Sequence, residues 1–127
     1  MEYSIKVIEH FMSPHNAHSM PDADAEARVG DPDCGDSMVL FIKVREGVLV
    51  EVSYLVYGCC ASIATASMTS VLATGKTLKE AERITEEDIV EALDGLPENK
   101  LHCSNLGAGA LHKAIQVYRE KQKAHQK

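Results

Sequence analysis

Apolar residues recur at Tyr3, Val7, Ile8 and Phe11 within residues 2–12, a spacing of four and three that predicts an amphipathic helix. Residues 13–37, SPHNAHSMPDADAEARVGDPDCGDS, lose that period; Pro, Asp, Gly and Ser dominate, and a long irregular segment is expected. A loop of that length in a small domain usually carries function or motion. Two apolar runs follow, MVLFIKVR (38–45) and VLVEVSYLVY (48–57), joined by Glu46-Gly47, which reads as a hairpin turn. Alternation in the second run is only partial, so one strand or two short ones fit it.

The period changes after Gly58. ASIATASMTSVLAT (61–74) has helical spacing and no charge, which predicts a largely buried helix with Gly75 at its C-terminal end. Thr77 and Glu80 form a capping-box pattern for a short helix, KTLKEAER. Thr85 precedes EEDIVEAL, whose acids fall in the first turn, where the helix dipole favours them; Gly95 and Pro97 stop it. Ser104 is placed to cap a last helix from about Asn105 to Lys121, leaving KAHQK as a frayed, solvated tail. Strands segregated from helices in this order indicate the α+β class.

With 127 residues, 45% of them apolar and 25% charged, the chain is expected to form a single domain over 1–127. A net charge of −6 argues against nucleic acid as the main partner. No apolar run is long enough to span a membrane, and MEYSIKVIEHFM is unlike a signal peptide. A cytoplasmic location follows as the expectation, and four cysteines in a reducing compartment point to metal or sulfur chemistry before disulfides.

Three places combine a cysteine with a change of chain direction: DPDCGDS (31–37), YGCC (57–60) and KLHCSN (100–105). At the second and third a helix N-terminus is predicted beside the thiol, and its N–H groups would favour the thiolate, which is both nucleophile and metal ligand. The gaps between cysteines are 25, 1 and 43 residues, without a C-x-x-C pair, so zinc-ribbon and ferredoxin spacings are absent. Spacing alone leaves open whether Cys34, Cys59 and Cys103 converge or are buried as small apolar groups.

CGDSM (34–38), YGCCASIA (57–64) and LHCS (101–104), in this order, resemble the signature segments of IscU-type iron–sulfur scaffold proteins, including the N-terminal domain of NifU. Tyr3-Ser4 with KVIEHF, the series Gly30, Pro32, Cys34, Gly35, Asp36, and GKTLKEAERI extend the likeness nearly end to end. The resemblance implies a small antiparallel sheet of about three strands packed by helices. It implies a non-catalytic scaffold that builds a [2Fe–2S] cluster and transfers it to apo-proteins. Matched residue by residue, Cys34, Cys59 and Cys103 are the cluster ligands, with Asp36 or His102 as the fourth. Cys103 is the candidate acceptor of persulfide sulfur from a cysteine desulfurase. A ferredoxin and a frataxin-like protein are implied helpers, and a monomer or a cluster-linked homodimer the implied assembly. Three thiolates with one harder ligand suit a cluster that must be released, and the same set suits tetrahedral zinc. The alternative reading is therefore a zinc-bound persulfide acceptor of SufU type; the long insertion of that branch is absent here. A zinc hydrolase would need a general base, for which Asp36 is the one candidate.

The chain departs from the pattern at Cys60, where relatives carry Gly, and at LPENK (96–100), where scaffolds served by a dedicated Hsp70-type chaperone have LPPVK. The second departure argues against that partner. Cys60 is expected to point away from the site, because successive side chains diverge. Gly107 and Gly109 are expected to loosen the start of the last helix by up to about 1 kcal/mol each. Tyr3 is read as a packing residue, and His10, His15, His18, His112 and His125 as solvated.

Overall fold

The computed structural model describes residues 3–31, 36–101 and 103–125. Helix α1 (Ile5–Met12) opens on Ser4, whose hydroxyl accepts from the N–H of Val7 and donates to the carbonyl of Leu93. Only Val7 of this helix is buried, so the predicted apolar face narrows to one residue while Ile8 and Phe11 stay exposed.

The segment expected to be wholly irregular contains a strand, β1 (Ala25–Asp31). It pairs antiparallel with β2 (Asp36–Arg45), from Ala25 opposite Ile42 to Asp31 opposite Asp36. The alternation Ala25, Ala27, Val29 was present, but small residues give a weak strand signal; the ladder to β2 decides the outcome. Ala25 and Ala27 are buried. The hairpin from β2 to β3 (Val48–Tyr57) turns on Glu46 (φ 52°) and Gly47 (φ 76°), the two positive φ values of a type I′ turn. The second apolar run is one strand, not two. Its broken alternation has a cause: the register slips between Lys43 and Val44, making Val50 an extra residue. Leu49 and Val52 thereby both reach the core while Val50 stays exposed.

The sheet order is β1-β2-β3. Helix α5 (Cys103–His125) packs on β1 and β2, and α2 (Cys60–Ala73) packs on β3 and against α1 and α5. On α2, residues Ala61, Ala64, Ala66, Met68 and Ala73 are buried together with Ser62, Thr65, Ser67, Thr69 and Ser70. Small side chains let it run through the middle of the domain. Asn16 covers the outer edge of β3: its carbonyl accepts from the N–H of Tyr54 (3.2 Å) and its amide donates to Ser70 Oγ (3.0 Å).

Helices α3 (Leu78–Glu82) and α4 (Glu86–Ala92) carry reciprocal capping boxes, Thr77 with Glu80 and Thr85 with Asp88. Gly75 (φ 89°) follows α2, and Asp94 (φ 60°) with Gly95 (φ 99°) ends α4. Helix α5 begins at Cys103, before the expected Asn105, and continues past Lys121 to His125. Ser104 does not act as the expected N-cap; its hydroxyl donates back to Leu101 O at 2.7 Å. Gly107 marks a close helix crossing, because a Cβ there would overlap Thr69 Oγ1, whereas Gly109 faces open space. Two histidines read as solvated make specific bonds: His10 Nδ1 lies 2.7 Å from Ser67 Oγ, and His112 Nε2 lies 2.7 Å from Ile84 O. Among the described residues no helix is long and apolar enough to cross a membrane.

Candidate functional site

Three element ends meet at one point. Asp36 opens β2, Cys59 is the N-cap of α2, and Cys103 is the first residue of α5. The antiparallel sheet brings the β2 start beside the β3 end, with Ser37 opposite Tyr57, and Gly58 leads directly into Cys59. The α2–α5 crossing then sets the two helix N-termini side by side. One ligand atom from each of Asp36, Cys59 and Cys103 lies within 4.8 Å of the others, and the two sulfurs are 3.9 Å apart.

Ser62 sits at the centre of this group. Its hydroxyl donates to Asp36 Oδ2 at 2.7 Å and lies 3.6 Å from Cys103 Sγ and 3.5 Å from Cys59 Sγ. The motif reading missed Ser62. The available signal was its place three residues after an N-cap residue, where a side chain turns back towards the cap.

The two thiols have different environments. Burial raises the pKa of Cys59, but the Ser62 hydroxyl and the backbone N–H groups of Ser62 and Ala61 outweigh it and hold the thiol below its ordinary value. Cys103 is fully buried, and burial pushes it up to about 11; the Ser62 hydroxyl opposes the rise, and the neighbouring Cys59 and the Asp36 charge add to it. The thiolate expected at both helix starts is therefore favoured at Cys59 and disfavoured at Cys103.

Cys60 does not join the Asp36, Cys59 and Cys103 group among the described residues. The neighbouring Cys60 thiol, then burial, then the nearby Cys59 and Cys103 push the Tyr3 hydroxyl up to about 12. Tyr3 both packs on the core, as expected, and puts its polar end against the cysteines. Cys34 and His102, the remaining expected ligands, lie outside the described residues, as does most of the DPDCGDS segment.

Two sulfurs and a carboxylate oxygen within one small volume form a donor set suited to iron–sulfur units or zinc. Residues 2–125 match the family described as NifU-like N terminal domain. The chain is 47% identical over 116 residues to iron–sulfur cluster assembly scaffold protein IscU 1 of Archaeoglobus fulgidus, covering 91% of this chain and 76% of that protein. It is 41% identical over 128 residues to iron–sulfur cluster assembly scaffold protein IscU of Escherichia coli K12, covering 98% of this chain and 99% of the relative. The crystal structure of a nitrogen-fixing NifU-like protein (N-terminal) from Brucella abortus superposes with a TM-score of 0.73 at 20% identity, covering 92% of this chain and 94% of that one. That structure shares the fold, and the sequence matches carry the relationship further. Matched over almost its whole length, the chain belongs to the NifU-like N-terminal domain family.

Proposed function

We propose that this chain is a scaffold on which an iron–sulfur cluster is built and from which it passes to apo-proteins. The observation that carries the reading is the meeting of Asp36, Cys59 and Cys103 at three element ends, in a chain whose relatives are iron–sulfur cluster assembly scaffold proteins. The cluster is the cargo, and the form proposed is [2Fe–2S]. Cys59 and Cys103 supply two thiolates to it and Asp36 a carboxylate. Cys34, two residues before Asp36 in the sequence, is the third thiolate, and His102, next to Cys103, competes with Asp36 for the fourth position. A carboxylate or imidazole holds iron less firmly than a fourth thiolate, which suits release.

A cysteine desulfurase supplies the sulfur as persulfide, with Cys103 as its acceptor. Because Cys103 is buried, accepting sulfur requires the α5 N-terminus to open. Reducing that sulfur to sulfide consumes electrons, for which a ferredoxin is the fitting donor, and a frataxin-like protein fits the delivery of iron. The chain acts as carrier and acceptor, not as a classical catalyst.

The same donor set accommodates zinc, which keeps a zinc-bound persulfide acceptor as the second reading. Anaerobic incubation with a desulfurase, cysteine, ferrous iron and a reductant separates the two. The scaffold develops a visible chromophore with acid-labile sulfide and gives both up to an apo-ferredoxin. Persulfide on the protein with zinc retained, and no sulfide, would support the second reading and sink the first.

A further inference from the structure

Resting on the scaffold reading, we infer that Ser62 is a positioning residue whose hydroxyl holds the Asp36 carboxylate between Cys59 and Cys103, presetting the oxygen–sulfur–sulfur group that receives a metal. Ser62 is 1% exposed and its oxygen reaches all three groups, at 2.7 Å from Asp36 Oδ2, 3.5 Å from Cys59 Sγ and 3.6 Å from Cys103 Sγ. One hydroxyl carries one proton, so it donates to one of them at a time. The Asp36 contact lies in the ordinary O–H···O range and has the charged acceptor, while the sulfur contacts are longer and weaker. Asp36 is therefore the main acceptor, and the longer contacts to the two thiols are made when the hydroxyl proton turns towards them.

The hydroxyl is itself held in place. Ser62 lies in the first turn of α2, three residues after the N-cap Cys59, and is buried among the three groups it touches. Burying a hydroxyl inside a helix where Ala would fit costs stability unless a partner compensates. The partner here is a carboxylate that is itself only 7% exposed. Carboxylates that bind metals depend on such outer hydrogen bonds for orientation, and losing one typically weakens binding by 10- to 100-fold.

The test titrates the full chain, anaerobically and metal-free, with Co2+ and Zn2+. Ser62→Ala is expected to lower affinity for both by about 10- to 100-fold, whereas Ser62→Thr stays within about threefold of the parent. The Co2+ ligand-field bands of Ser62→Ala should shift as those of Asp36→Ala do, with the thiolate charge-transfer band retained. Adding Ser62→Ala to Asp36→Ala should cost nothing further, because the two act through one bond. Unchanged affinity in Ser62→Ala, or an equal loss in the Asp36→Ala background, overturns the inference. If Ser62→Ala does not fold, Ser62→Thr and Ser62→Val have one shape and differ in the hydroxyl; equal affinities in that pair overturn it too. A parent chain that binds metal but never yields sulfide counts against the scaffold reading and leaves the role of Ser62 standing.

Discussion

Asp36 and Gly58 share one space: a Cβ at residue 58 would stand 2.7 Å from Asp36 Oδ1 and 3.0 Å from Ser62 Cβ. The carboxylate can lie beside Cys59 because the residue before that cysteine has no side chain. Gly58→Ala is expected to push Asp36 out of the group, costing about 1–3 kcal/mol as an overpacked site. Metal affinity should fall with it. Thermal unfolding and a Co2+ titration measure the two effects, and wild-type values in both would refute the steric account.

The paired glycines of α5 should behave oppositely. Gly107→Ala drives a methyl group into Thr69 Oγ1 at the α2–α5 crossing and should destabilise by about 1–3 kcal/mol. Gly109 has open space around it, so Gly109→Ala should stabilise by about 0.5–1 kcal/mol through helix propensity. Urea denaturation of the two variants gives the signs, and a stabilised Gly107→Ala would contradict the close crossing.

His10 should make stability fall in mild acid. Burial, then the neighbouring His15 with its ring centroid 5.1 Å away, lower its pKa below the ordinary 6.5; Glu9 opposes and Lys6 adds to the effect. The unfolded chain therefore takes up the proton first as pH drops. The contribution of His10 is complete above pH 6.5 and is lost as pH falls through its lower folded value. The stability gap between the parent chain and His10→Gln should narrow between about pH 7.5 and pH 5.5. A constant gap in urea midpoints would show that His10 does not titrate in this way.

Alkylation should separate the two site thiols. In the metal-free protein Cys59 is partly exposed with its thiolate favoured, whereas Cys103 is fully buried and pushed up to about 11. Iodoacetamide should modify Cys59 faster than Cys103 by about tenfold or more, since the thiolate is the reacting form. Peptide mass spectrometry over time reads both, and the reverse order would mean that the α2–α5 contact opens readily.

Much of the local architecture was legible in the chain itself. Thr77 with Glu80, Glu46-Gly47, and the uncharged run after Cys60 each specify a conformation through neighbours a few residues away, and each appears as read. β1 was not legible, because Ala25 and Ala27 carry little strand preference and acquire it only from the ladder to β2. Nor was Gly107 legible as a contact; as a helical residue it looks like a defect, and only the facing Thr69 explains it.

The motifs around Cys59, Cys103 and Asp36 named the chemistry by residue type, because thiolates and carboxylates bring their ligand properties wherever they stand. The resemblance already grouped these three in one site; the distances among them, the place of Ser62 and the unequal ionisation of the two thiols depend on packing and burial, which no linear pattern contains. Sequence determined which groups were available. The sheet register and the helix crossing decided which of them touch, because those contacts join residues as far apart as Asp36 and Cys103.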